Sequence, residues 1–356
     1  MKTLQVGALA APLLSWYPSH ARDLPWRHTQ AVYPVWVSEI MLQQTRVEAV
    51  VPYYTRFLTQ FPDVYALAQA APDTLQKAWE GLGYYARARH MAETAQIVVQ
   101  DYGGVFPKTL EELRALPGIG AYTAGALCSL CYGMPTPAVD GNVLRVVARF
   151  CALEAPVDQA NVKTAITEAL TQVYLAHPND CAMLTQSLME LGATVCIPKA
   201  PHCDVCPLAA QCRAQKEGKV LVIPVHTPKK PRRVEKRTVF FLLYEDKVAI
   251  RRRPKTGLLS SLWEYPSEAG TFTPEAAIQQ AEAWGCAPQD FLGTLPGHHI
   301  FTHVEWEMTG MVMRCGACPA VFQWETPEEI QNVYPLPTAF RQFSASLMPF
   351  FRSAES

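Results

Sequence analysis

The stretch Cys196-Ile-Pro-Lys-Ala-Pro-His-Cys203-Asp-Val-Cys206-Pro-Leu-Ala-Ala-Gln-Cys212 decides how this chain is read. Four thiols spaced C-x6-C-x2-C-x5-C, with Pro198, Pro201 and Pro207 between them, predict a loop that holds a metal centre. Four-cysteine zinc sites usually arrive as two C-x2-C knuckles, and here only Cys203 and Cys206 are so spaced. An iron–sulfur cube takes its thiolates at more varied spacings, although this one is not that of bacterial or plant-type ferredoxins. Spacing alone leaves zinc and a cluster level. A disulfide framework fits less well. The chain is long, its 11 Cys are an odd number, and Cys128, Cys131, Cys151 and Cys181 sit in apolar segments as reduced core residues do. A reducing compartment is expected.

Outward from this loop, 356 residues with 49% hydrophobic content predict about two globular domains. No stretch approaches the roughly 20 apolar residues of a membrane span. The segment from Leu4 to Leu14 follows Lys2 like a short leader, but Gln5 and Pro12 interrupt it and Trp16 and Tyr17 follow at once. It reads as an amphipathic first helix, and a cytoplasmic location is expected. The net charge of −1 announces no polyanionic partner. The charge is uneven, however: Lys229, Lys230, Arg232, Arg233, Lys236 and Arg237 crowd one stretch holding Pro228 and Pro231. That stretch reads as a basic linker over residues 218–236, either a solvated hinge or a contact for DNA phosphates.

Before the linker, apolar residues recur at three and four, as in Ile40, Val47, Val50, Tyr54, Phe57 and Leu58, with breaks at Pro52, Pro62, Pro72 and Pro117. Residues 1–217 are expected to form an all-α domain of many short helices. After it, β-rich runs at Thr238 to Tyr244, Val248 to Arg252 and Val304 to Met313, with a helix over Pro274 to Trp284, predict a smaller α+β domain over 237–356. Within the helical half, Leu116-Pro117-Gly118-Ile119-Gly120 separates two helical stretches. Two glycines after a proline allow a hairpin whose amides, at a helix N-terminus, hold a phosphate without reading sequence. Taken alone, an ordinary helix–helix turn is the plainer reading.

The hairpin is followed about twenty residues on by Val139-Asp140-Gly141-Asn142-Val143, and then by the cysteine loop. In this order the chain resembles the helix-hairpin-helix DNA glycosylases that carry a [4Fe-4S] cluster on a loop of this spacing. Leu24-Pro25-Trp26-Arg27, Val37-Ser38-Glu39-Ile40-Met41-Leu42-Gln43-Gln44-Thr45 and Gly81-Leu82-Gly83-Tyr84-Tyr85-Ala86-Arg87 sharpen the likeness to the adenine DNA glycosylases, the MutY family.

Cleaving an N-glycosidic bond to adenine calls for an acid that protonates the base and a carboxylate that faces the developing sugar cation. The resemblance implies Glu39 as the acid, and as the group that later activates water; among Val37, Ile40 and Leu42 its pKa is expected to be raised. It implies Asp140 as the carboxylate at the oxocarbenium or its covalent adduct, a position that otherwise reads as a helix N-cap. Tyr122 stands where bifunctional relatives resembling endonuclease III carry an imine-forming lysine, so hydrolysis without efficient strand cleavage is expected. Tyr122 and Asn142 are implied to support Asp140 by hydrogen bonds.

A base within a duplex must be extruded before chemistry reaches it. The likeness places Gln44 and Tyr84 as wedges in the stack, Thr45 and Leu82 near the opposite base, Arg27 at the purine pocket, and Leu116, Gly118 and Gly120 at the hairpin's phosphate. It makes Cys196, Cys203, Cys206 and Cys212 the [4Fe-4S] ligands. Arg87 and Arg89 either approach the backbone or form a solvated face.

Gly257 to Pro266 resembles the MutT-like, Nudix-fold domain of these glycosylases, without the glutamate-rich helix of the pyrophosphatases. The implied role is recognition of 8-oxoguanine through Phe301, Thr302 and His303, where the family has Phe-Ser-His. Cys315-x2-Cys318 reads as two ordinary thiols. The expected partner of a monomeric protein is duplex DNA with adenine opposite 8-oxoguanine or guanine. A thymine-mismatch glycosylase, an endonuclease III-like lyase and a non-catalytic damage-binding protein are the alternatives.

Overall fold

In the computed structural model, residues 4–228 and 231–352 are described. Lys229 and Lys230 of the basic stretch lie outside them. The chain divides into two units: Met1–Gln69 with His90–Lys229, and Ala70–Arg89 with Lys230–Ser356.

The first unit is helical. The N-terminal segment forms the helix Ala10–His20, which buries Leu13 and Trp16. At its centre lies the helix Gly141–Cys151, nearly every residue of which is buried. Val143 and Val147 pack with Leu13, Ile166, Leu170, Leu184 and Leu188 in one core. Each such side chain contributes roughly 1.5–3 kcal/mol on burial. The two helices of the hairpin are Leu110–Ala115 and Ala121–Tyr132. Buried Leu116 and Ile119 pin the turn between them, and the Ile119 amide donates to the Leu116 carbonyl at 3.2 Å. Gly118 has φ +72°, and a Cβ there would stand 2.7 Å from His90 Cβ, so only glycine fits.

The second unit is built on a mixed seven-stranded sheet. Its strands are β1 (Arg233–Tyr244), β2 (Lys247–Arg252), β3 (Trp263–Glu264), β4 (Ser267–Ala269), β5 (Pro288–Ile300), β6 (Val304–Cys315) and β7 (Gln323–Glu325). The order is β3-β2-β1-β6-β5, with β4 added on β1 and β7 on β2. β1 runs parallel to β6 from Arg233↔Val304 to Leu243↔Arg314, and β5 returns antiparallel on β6. Period-two alternation divides the central strand between two cores. Val239, Phe241 and Leu243 meet Phe340, Phe343 and Leu347, while Phe240 and Leu242 meet Ala277 and Ala281 of the helix Pro274–Ala283.

Two boundaries differ from the sequence reading. β1 begins at Arg233, inside the stretch read as linker, because pairing with β6 orders a polar segment that lacks an apolar pattern of its own. The segment 70–89 packs with the C-terminal sheet, so the division is not a single cut along the chain.

Candidate active site

Glu39 lies near the end of the helix Val32–Met41, whose last seven residues are buried. Tyr122, in the first turn of the helix Ala121–Tyr132, donates its hydroxyl to Glu39 Oε2 at 2.6 Å. Burial raises the Glu39 carboxyl to about 7, against the pull of the Tyr122 hydrogen bond. The neighbouring charge of Asp140 adds to the rise. A carboxyl so placed keeps a proton to give near neutral pH, as a general acid requires. Burial and the Glu39 carboxylate also push the Tyr122 phenol well up, so it stays a donor.

Asp140 is the N-cap of the helix Gly141–Cys151, and its Oδ1 accepts the Val143 amide at 2.8 Å. Its Oδ2 accepts from Asn142 Nδ2 at 2.8 Å. Burial raises its pKa, and these two hydrogen bonds oppose the rise. The capping bond to the Val143 amide fixes the direction in which the Asp140 carboxyl faces. Of Tyr122 and Asn142, both expected to support Asp140, Asn142 is the one whose side chain donates to it. The Tyr122 hydroxyl serves Glu39 instead, because the hairpin helix carries it to that carboxylate.

Arg145 extends the chain of contacts. Its Nη2 donates to Asn142 Oδ1 and to the Gly192 carbonyl, both at 2.7 Å, and its Nε donates to the Cys196 carbonyl at 2.7 Å. Gly192, inside the helix Cys181–Thr194, makes room for this: a Cβ there would lie 2.6 Å from Asn142 Cβ. One helical turn further on, buried Arg149 donates to the carbonyls of Ile197 and Pro198 at 2.8 Å and to Cys196 Sγ at 3.4 Å. Two arginines on one helix face thus tie the cysteine loop to the element that carries Asp140.

Glu39, Tyr122, Asp140 and Asn142 line one cavity of about 920 Å³, together with Arg27, Gln44, Thr45, Gly118 and Gly120. Arg27 pairs through Nη2 with Glu190 Oε2 at 2.5 Å, and Arg22 Nε meets Oε1 at 2.7 Å. Burial opposes ionisation of Glu190, but hydrogen bonds from Arg22 and Arg27 outweigh it and hold the carboxyl near 2. Glu190 was not found from the sequence. Its only signal was an acid within the apolar run Leu188-Met189-Glu190-Leu191. Gln44, in the same cavity, is exposed and has φ 59°.

The four loop cysteines are half-buried, and Cys206 feels the charges of the other three. Among the described residues no three His, Cys, Asp or Glu side chains converge on a single-ion site.

In the second unit, Leu82 is buried while Tyr84 is exposed at φ 47°. Arg87 is buried and donates to the Leu82 and Gly83 carbonyls, and Arg89 Nη1 donates to Ser260 Oγ at 2.7 Å. Neither arginine is a solvated face. Phe301, Thr302 and His303 form the β5–β6 turn, closed by the Phe301 amide on the Val304 carbonyl at 2.8 Å. Phe301 stands edge-on to Trp306, with ring centroids 4.8 Å apart. Thr302 Oγ1 lies 2.9 Å from Tyr84 Oη. Cys315 is buried beside Cys286 in the sheet's core, and Cys318 is exposed.

A profile described as HhH-GPD superfamily base excision DNA repair protein matches residues 37–186, and one described as NUDIX domain matches residues 238–346. The adenine DNA glycosylase of Rattus norvegicus is 33% identical over 92% of this chain and 75% of its own length. That of Mus musculus is 34% identical over 92% and 75%. Among solved structures, a thermostable thymine-DNA glycosylase matches with a TM-score of 0.54 at 26% identity, over 59% of this chain and 96% of that one. A helical glycosylase fold, a following NUDIX fold and relatives that align along most of both lengths have one reading: the chain belongs to the adenine DNA glycosylase family, hydrolases of N-glycosyl bonds that act in base excision repair.

Proposed function

We propose that this protein excises adenine paired opposite 8-oxoguanine or guanine in duplex DNA, by hydrolysis alone. The observation that carries this reading is the buried Glu39 carboxyl, raised to about 7 and bound by Tyr122, in one cavity with the doubly anchored Asp140. Once the adenine nucleotide is extruded into that cavity, protonated Glu39 gives its proton to the ring. The C1′–N bond then breaks with the electron pair leaving on a neutral base. As a carboxylate, Asp140 stabilises the positive charge that develops on the sugar, or closes on it as a transient ester. Glu39, now a carboxylate, takes a proton from the water that completes the hydrolysis. Tyr122 has no amine with which to form an imine, which supports a monofunctional reaction.

In the first unit, exposed Gln44 fills the vacated stack, Thr45 lies near the opposite base and the hairpin at Gly118 and Gly120 holds phosphate; in the second, exposed Tyr84 inserts beside the opposing base, which Phe301, Thr302 and His303 recognise. Leu82 is buried, which suits a supporting role under Tyr84 better than direct contact. Arg27, fixed by Glu190, lines the purine pocket. Cys196, Cys203, Cys206 and Cys212 would hold a [4Fe-4S] cluster, which when bound crosslinks the loop and supplies no step of the hydrolysis.

The test uses duplexes with adenine opposite 8-oxoguanine, adenine opposite guanine, and thymine opposite guanine, read before and after hot alkali. Alkali-dependent breaks at adenine are expected. Breaks at thymine alone would move the assignment to the mismatch relatives, and efficient breaks without alkali would refute monofunctionality.

A further inference from the structure

The second unit contains a piece of chain remote in sequence from its sheet. Residues 70–89, which carry the Gly81-Leu82-Gly83-Tyr84 turn, are packed with residues 230–356. Glu80, immediately before that turn, has a side chain only 12% exposed. Its Oε1 accepts the Leu336 amide at 3.0 Å, and its Oε2 meets Lys77 Nζ at 2.8 Å and Arg341 Nη1 at 3.6 Å. Lys77 itself donates to the Tyr334 carbonyl at 3.2 Å. On the far side of the turn Arg89 holds Ser260, and before it Asp73 pairs with Arg252. At the tip, Tyr84 Oη reaches Thr302 of the β5–β6 turn.

We propose that Glu80 is a positioning residue that docks the Tyr84 turn onto the C-terminal sheet, so that Tyr84 and Thr302 reach the base opposite adenine as one preassembled surface. Tyr84 and Thr302 touch through a single bond between two exposed side chains, which is too weak to hold two turns together. A nearly buried carboxylate bound to a main-chain amide and two cations supplies what that bond lacks, because charge-assisted bonds out of water are the stronger class. Glu80 is also the only side chain among those named that is tied to both Lys77 of its own segment and the 336–341 stretch. It does not line the cavity that holds Glu39 and Asp140, so its effect falls on discrimination between opposite bases, not on bond breaking.

This proposal rests on the reading that Phe301, Thr302 and His303 recognise 8-oxoguanine. Single-turnover excision is measured for adenine opposite 8-oxoguanine and opposite guanine, with wild-type protein, Glu80→Gln and Glu80→Ala. Hydrogen exchange at the Leu336 amide is followed in the free proteins. Glu80→Ala is expected to lower the ratio of the two rates at least threefold, to leave the guanine rate within twofold, and to speed Leu336 exchange at least tenfold. Glu80→Gln, which keeps an oxygen for the Leu336 amide, is expected to lie between. Loss of Leu336 protection with an unchanged ratio overturns the proposal, as does equal loss of both rates. A wild-type protein that does not distinguish the two duplexes refutes the recognition reading; a Leu336 amide that exchanges freely in wild type refutes the docking itself.

Discussion

Glu39→Gln separates the chemical role of this carboxyl from its cost to the fold. A carboxyl raised from 4.5 to about 7 binds its proton more tightly in the folded chain than in the unfolded one. Below about pH 4.5 both states are protonated and no cost arises. As pH climbs from 4.5 to 7 the unfolded chain ionises while the folded one resists, so stability falls and then levels off. At 1.36 kcal/mol per pKa unit the full loss is about 3 kcal/mol above pH 7. Glutamine keeps the shape and an oxygen for the Tyr122 hydroxyl but carries no charge. The variant is therefore expected to be more stable than wild type by about 3 kcal/mol at pH 8, or roughly 6–12 °C in Tm for a unit of this size, with the gap closing toward pH 4.5. Its excision rate is expected to fall by at least 10²-fold. Circular dichroism melts from pH 5 to 9 give the first quantity and single-turnover kinetics the second. A Tm gap that is independent of pH, or that grows toward acid, refutes the reasoning.

Further outcomes follow from the same cavity. Tyr122→Phe removes a hydrogen bond that favours the Glu39 carboxylate, so the alkaline limb of the pH–rate profile is expected to move up by about one unit. Asp140→Asn keeps an N-cap oxygen and is expected to melt within about 1 kcal/mol of wild type, while excision drops by at least 10²-fold with DNA binding retained in gel shifts. Gly192→Ala forces a Cβ into Asn142 and is expected to cost about 1–3 kcal/mol in urea melts and at least tenfold in excision rate. Cys203→Ser is expected to lower the iron and acid-labile sulfide recovered with the protein; unchanged contents of both refute the cluster assignment.

Local chemistry made much of this molecule readable in advance. The Pro-Gly-x-Gly turn, the cysteine spacing and Asp140 ahead of an apolar run each carry their reason within a few residues. What escaped depends on distant partners. Glu190 looks like any helix acid until Arg22 and Arg27, more than 160 residues earlier in the chain, fold against it. That the Tyr122 hydroxyl donates to Glu39 is settled by helix packing and not by spacing, so the sequence did not show it. β5 was missed since Pro288, Gly293, Pro296 and Gly297 break its pattern; at the sheet's edge, with register shifts between Pro288 and Gly293, they are tolerated. The attachment of residues 70–89 to the C-terminal sheet runs through Asp73, Lys77, Glu80 and Arg89, ordinary surface residues by composition.

Gln44 and Tyr84, the two residues assigned to the DNA stack, both hold a left-handed backbone without being glycine. Each such residue costs of order 1 kcal/mol, a debt entered when the chain folds and before any duplex arrives. Glycine at either position would relieve it and raise the melting temperature, yet it would also release the turn to many conformations that a bound duplex must then suppress. If the two residues are the wedges proposed above, the entropy of presenting them is lost on folding, and fold stability and grip on DNA pull in opposite directions at these two positions. A variant selected for heat resistance would be expected to surrender them first.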